Sequence, residues 1–83
     1  MIYDVIWDPP AERELTQLWM ASRMRHAITD AADKIDVALR RDPHNCGESR
    51  DADRRVVHEV PLGVIFTIDD NNRRVRVETV WQY

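Results

Sequence analysis

At 83 residues the chain has room for one domain with a modest hydrophobic core, so its stability alone is marginal and a partner covering apolar surface would matter. A formal net charge of −3 runs against the sign of a dedicated nucleic-acid binder, and no apolar run approaches the roughly 18 residues of a membrane span. A single cysteine, Cys46, excludes an internal disulfide framework and a cysteine-rich zinc site. The opening Met1-Ile2-Tyr3-Asp4 has no basic secretory segment, which predicts a cytoplasmic protein without a membrane partner.

Ile2-Tyr3-Asp4-Val5-Ile6-Trp7 is apolar and aromatic enough for a first strand. Asp8-Pro9-Pro10-Ala11-Glu12 then signals a helix start: Asp8 as cap, Pro9 at the first helical position, Glu12 and Glu14 at the positive end of the dipole. This helix runs to about Ala21, with Leu15, Leu18 and Trp19 as its apolar stripe. Ser22 is placed to cap a second helix from about Arg23 to Arg41. Its stripe is Met24, Ala27, Ile28, Ala31, Ile35, Ala38 and Leu39, and Pro43 ends it. His44 to Asp53 reads as a polar loop containing Gly47.

The last third has no helix. Arg54–Val60 is β-rich, Pro61-Leu62-Gly63 breaks it, and Val64–Ile68 is a second β run. Asp69-Asp70-Asn71-Asn72 is a polar turn, and Arg73–Trp81 alternates again. The order β-α-α-β-β-β predicts an α+β fold, a four-stranded and mostly antiparallel sheet with a two-helix hairpin on one face. Alternation turns Val64, Phe66 and Ile68 toward the helices and Ile65 and Thr67 away. Val75 and Val77 share one face of the last strand, Arg74 and Arg76 the other, while Trp81 is expected to pack against the first helix.

Charge is uneven: residues 1–39 hold four basic and seven acidic side chains, residues 40–83 eight of each. Arg54, Arg55, Arg74 and Arg76 allow two readings, a phosphate-binding face or a strand surface kept soluble by pairs with Glu59 and Glu78. His58 is either a general acid on the open sheet face or an exposed strand histidine without a task. His44 and Cys46 do not make a metal site by themselves, and His44 and His26 are expected to face solvent.

In element order, size and local pattern the whole chain, residues 1–83, resembles the RelE/ParE superfamily of bacterial toxins as a single toxin domain. The pattern lies in Asp53-Arg54-Arg55-Val56-Val57, in Val64-Ile65-Phe66-Thr67-Ile68-Asp69-Asp70 and in the aromatic end Trp81-Gln82-Tyr83, which looks like the YoeB branch. The resemblance implies a toxin component of a toxin–antitoxin module, bound by a cognate antitoxin and needing no cofactor or metal. Some members cleave mRNA in the ribosomal A site, where the 2′-OH attacks the adjacent phosphate; others act on DNA gyrase. Cleavage needs a base, cations for the phosphorane and an acid for the leaving oxygen. Carried over residue by residue, Glu48 matches the acidic base, Arg54 and Arg55 the basic pair and Tyr83 the terminal tyrosine. The arginine of the third strand falls on Gly63 or Leu62, and the penultimate histidine is Gln82, neither able to supply a cation or a proton. Two functions therefore stand side by side: a ribosome-dependent mRNA endonuclease, and a non-catalytic binding protein of the same fold, directed at gyrase or holding only its antitoxin.

Overall fold

The computed structural model describes residues 2–83 and consists of five strands and two helices. Strand β1 (Asp4–Trp7) leads into helix α1 (Pro9–Ala21), which turns into helix α2 (Arg25–Arg41). A short 3-10 turn, Pro43–Asn45, precedes β2 (Glu48–Asp51), β3 (Arg54–Glu59), β4 (Leu62–Asp69) and β5 (Arg74–Gln82). The sheet order is β1-β5-β4-β3-β2, with β1 parallel to β5 and every other pair antiparallel. The α+β architecture and the meander stand as the sequence implies; the strand count is five because part of the polar loop after α2 pairs with β3. That loop has no apolar residue from Glu48 to Asp51 and is fully exposed, so hydrophobic alternation carries no trace of it. Gly47 makes the entry: its φ is +60, and a Cβ there would collide with the Val56 carbonyl oxygen.

The core is one cluster between the sheet and the two helices, to which α1 gives Ala11 with Leu15 and Leu18 packed against it. Ile28, Ala31, Ile35 and Leu39 recur on a single helical face and meet Leu62, Val64, Phe66, Val75, Val77 and Val80. Burying each large side chain in this set contributes about 1.5–3 kcal/mol. Two residues of the expected α2 stripe leave it: Met24, 54% exposed, lies before the helix, and Ala38 is exposed one position from Leu39. α2 starts two residues later than its sequence suggests, because Ser22 Oγ accepts a hydrogen bond from the Met24 amide (2.8 Å) and so holds the turn rather than the helix. Asp8 precedes α1 but makes no side-chain cap; its carboxylate goes to Arg76 instead (3.3 Å). Among the described residues no helix is long and apolar enough to cross a membrane.

Candidate functional site

The helices cover one sheet face and leave the other open. Strand register assigns every residue of that open face. The first row across it is His58, Gly63 and Trp81 on β3, β4 and β5. The second is Val56, Ile65 and Thr79, with Glu48 of β2 opposite Val56. The third is Arg54, Thr67, Arg76 and Ile6, and beyond it Asp69, Arg74 and Asp4 are aligned. The face therefore has an aromatic end and a cationic end.

Trp81 is the residue that sequence alternation misplaced. β5 carries an irregularity opposite Ile65 and Phe66, where Thr79 and Val77 pair with consecutive residues of β4. The extra residue, Glu78, shifts the phase, so Val75 and Val77 point inward and then Val80 does, not Thr79. Trp81 consequently leaves the helix side for the open face. Its indole lies on Gly63: a Cβ built at Gly63 would stand 2.5 Å from the ring carbons Cε2 and Cζ2. The spacing Val77 to Val80 in place of strict alternation was the available signal. His58 meets Trp81 edge to face (ring centroids 5.8 Å apart) and Tyr83 likewise (5.3 Å). The Tyr83 amide donates to the Pro61 carbonyl (3.0 Å), which ties the chain end to the β3–β4 turn and keeps the phenol beside the imidazole.

At the cationic end, Arg54 faces Glu78 (Nε to Oε1 3.8 Å), Arg76 faces Asp8, and Arg74 makes no ion pair among the described residues. Arg74, Arg76, Thr67 and Asp69 border a shallow depression of about 280 Å3. Arg55 does not join them. The adjacent position on β3 points to the opposite face, and its guanidinium donates to the carbonyls of Cys46 and Gly47 (3.2 Å each). The basic pair suggested by the sequence is thus split: Arg54 belongs to the open face, Arg55 to the loop that enters β2. Gln82 is likewise off the open face, opposite Leu62 of the core row. Glu48, His58 and Tyr83 do share the open side, with Glu48 diagonal to His58 across the β2–β3 ladder, a relation that separates positions by about 7–8 Å.

A second polar cluster lies at the far edge, where sequence reading left His44 in solvent. Asp70 Oδ1 accepts the Tyr3 hydroxyl (2.7 Å) and meets His44 Nε2 (2.7 Å), joining the first strand, the turn after α2 and the β4–β5 loop. The His44 hydrogen bond first, and that of Tyr3 second, hold the Asp70 carboxyl below its usual range. Asp69 is also lowered, chiefly by the Asn72 side chain, while burial pushes the Cys46 thiol up. Among the described residues no group of three or more His, Cys, Asp or Glu is placed to hold a metal ion.

No protein-family model matches this sequence, and no curated protein matches it by sequence. Among solved structures it is similar to a chain of the toxin–antitoxin complex RelBE2 from Mycobacterium tuberculosis (TM-score 0.85, 19% identity, 100% of this chain and 93% of that one). It is also similar to a chain of the chromosomal ParDE toxin–antitoxin system of P. aeruginosa (0.73, 11%, 98% and 96%). The isolated E. coli RelE toxin matches as well (0.71, 18%, 96% and 83%). The fold is that of the RelE/ParE toxins.

Proposed function

We propose that this chain is the toxin-like component of a bacterial toxin–antitoxin module, held by a cognate antitoxin, and that its open sheet face acts by binding a target rather than by cutting RNA. The shared fold supports the first half. The second half rests on one observation, the separation of the two ends of the open face. Thr67 is four residues on from Gly63 along β4, so the His58 row and the Arg54–Arg76 row are about 13 Å apart along the strands. In a metal-free cleavage, the proton-moving groups and the cations must meet around one phosphate. Here His58 and Tyr83 sit at the aromatic end without a cation, and the arginines at the other end lie beside the carboxylates Glu78 and Asp8, which pair with Arg54 and Arg76, with no histidine or tyrosine among them. Gly63 and its Trp81 cover occupy the place where the resemblance implies an arginine.

A binding face of this kind suits a nucleic-acid strand, with phosphates at Arg54, Arg74 and Arg76 and a base on the aromatic group, or a protein target such as DNA gyrase. A cytoplasmic site of action accords with either. The endonuclease reading keeps one observation of its own, the contact of His58 with Tyr83 on the side that also carries Glu48. Induced expression in bacteria, with and without the adjacent small gene, separates the readings. Growth arrest relieved by co-expression, with ribosome-bound mRNA left intact, is the expected result. Cleavage in the A site that is lost in Tyr83→Ala or His58→Ala would establish the enzyme. No arrest at any expression level would overturn the toxin-like role.

A further inference from the structure

Two kinds of target fit the open face in outline, a nucleic-acid strand and a protein, and the charges along it decide between them. Its three rows are two residues apart along β4, at Gly63, Ile65 and Thr67, a spacing of about 6.5–7 Å. In the first row the Trp81 indole forms a floor over Gly63 and stays part-exposed. The His58 ring stands almost perpendicular to it (81°) and to the Tyr83 ring (88°), a wall beside that floor. In the second row Glu48 is exposed, makes no ion pair among the described residues and lies diagonal to His58. Neither of these rows contains a lysine or arginine. The third holds Arg54 and Arg76, with Arg74 just beyond.

Set against the guanidinium groups of Arg54, Arg74 and Arg76 are the carboxylates of Asp4, Asp8, Glu48, Asp51, Asp69 and Glu78. Carboxylates therefore outnumber guanidinium groups across these rows. A strand with a phosphate at every nucleotide would meet net repulsion, most of all at Glu48. For a single cation the aromatic end is the reverse case. A planar guanidinium can stack on the outer face of Trp81 and turn an N–H edge to Glu48 at the same time. At the other end a lone carboxylate needs only one arginine. Arg74 makes no ion pair among the described residues, and the half-exposed pairs of Arg54 (3.8 Å) and Arg76 (3.3 Å) give way easily.

We infer that the open face takes an extended segment of a protein target, with arginine at i, an apolar residue at i+2 and aspartate or glutamate at i+4. Alternate residues of an extended strand share one side, and i to i+4 spans about 13 Å, the distance from the His58 row to the Arg54–Arg76 row. The arginine sits on Trp81 beside Glu48, the apolar side chain on Val56 and Ile65, and the carboxylate among Arg54, Arg74 and Arg76. Side chains over a sheet face make all these contacts, so the segment can run in either direction. The inference rests on the target half of the proposed function and narrows it from two classes of macromolecule to one.

The test uses disulfide-closed β-hairpin peptides that present arginine, valine and glutamate at i, i+2 and i+4 of one strand. Control hairpins carry arginine at both ends, glutamate at both ends, or the glutamate at i+3, where it faces away. A short single-stranded RNA is the remaining probe. Binding to the intact protein is followed by calorimetry and by the indole N–H signals of its tryptophans. The mixed hairpin is expected to bind about tenfold tighter than each control at low salt, to lose most of that margin at high salt, and to move the Trp81 signal but not that of Trp19. The RNA should leave Trp81 unmoved up to about 1 mM. Glu48→Lys should remove the advantage of the mixed hairpin over the glutamate-ended one; the position is exposed, and an unchanged circular dichroism spectrum verifies the fold. Equal affinity for the hairpins, or no shift at Trp81 up to about 1 mM, overturns the inference. RNA that binds tighter than the mixed hairpin and moves Trp81 makes a nucleic acid the occupant and also overturns it. Self-association without peptide, abolished by Glu48→Lys, would do the same in favour of a second copy. Growth arrest on induced expression separates this failure from that of the proposed function. Arrest that persists undiminished in Glu48→Lys places the target contact elsewhere, whereas no arrest with the unaltered protein removes the toxin-like role itself.

Discussion

The contact between Gly63 and Trp81 makes a prediction in which one substitution changes sign with its background. An alanine Cβ at Gly63 would stand 2.5 Å from two indole carbons, about 1 Å inside ordinary carbon–carbon contact. Either the ring lifts from the sheet or the strands shift, an overpacking cost of about 1–3 kcal/mol. Gly63 has no positive φ, so alanine fits the backbone and removes unfolded-state entropy, a gain of about 0.4–1 kcal/mol. Gly63→Ala alone should therefore destabilise. In a Trp81→Ala background the steric term vanishes and the entropic one remains, so Gly63→Ala should stabilise. The entropic term cancels around the cycle, leaving a coupling of about 1–3 kcal/mol equal to the steric cost. Urea unfolding of the four proteins measures it, and the upfield shift of the Gly63 α-protons under the indole reports the contact directly. A coupling near zero, with Gly63→Ala neutral in both backgrounds, would place the indole elsewhere. The same geometry bears on Gly63→Arg, which would put a cation where the resemblance implies one: the arginine would displace Trp81 and dismantle the aromatic end.

Other consequences are separable from that one. Arg55→Ala removes two hydrogen bonds to the Cys46 and Gly47 carbonyls and should cost about 1–3 kcal/mol in urea unfolding, with single-stranded RNA affinity unchanged relative to the parent. If the cationic end takes a nucleic-acid strand, Arg74→Ala and Arg76→Ala should each lower the slope of log affinity against log salt by about 0.7 in fluorescence anisotropy, without a loss of thermal stability. Asp70 has its folded pKa lowered by His44 and Tyr3, so its stabilisation is complete above the ordinary carboxylate pKa of 3.8 and is lost as pH falls from there toward the folded value. The thermal midpoint of the parent should therefore fall more steeply than that of Asp70→Ala as pH drops below about 4, and the two curves should run parallel above it.

Most of the fold was legible because it is written in apolar period. Ile28, Ala31, Ile35 and Leu39 repeat at helical spacing, and Val64 and Phe66 alternate, so the helix-covered face was readable before any coordinates. β2 was not, since an exposed strand of charged and small polar residues pairs through its backbone alone. The site was legible only where register follows simple alternation. Arg74 and Arg76 fall on the open face as alternation requires, and alternation also separates Arg54 from Arg55, although the resemblance implies a pair. Trp81 was lost to one extra residue in β5, which turns every later side chain over. The Tyr3–Asp70–His44 cluster joins positions 67 and 26 residues apart, a closeness that composition does not encode.

Counting charged residues leaves the question of cleavage open, whereas their positions and partners bear on it. Arg54 and Arg76 are not withdrawn by their ion pairs. A pair at 3.8 Å between Arg54 and Glu78, and one at 3.3 Å between Arg76 and Asp8, both with arginines half-exposed, contribute about 0–1 kcal/mol each and yield readily to a phosphate. With Arg74 they make three usable cations at one end of the face. Arg55, by contrast, gives its donors to backbone carbonyls, and leaving those carbonyls for a ligand would loosen the entry to β2. The shortage is thus local: cations are present, but about 13 Å of strand lies between them and His58. An arginine side chain cannot close that distance while keeping its strand position. Supplying the cation from outside, through a partner or target that brings its own positive group to Trp81 and Tyr83, is the arrangement in which this face would turn from binding to chemistry. RNA cleavage that appears only in the presence of ribosomes and vanishes in His58→Ala would show that this happens.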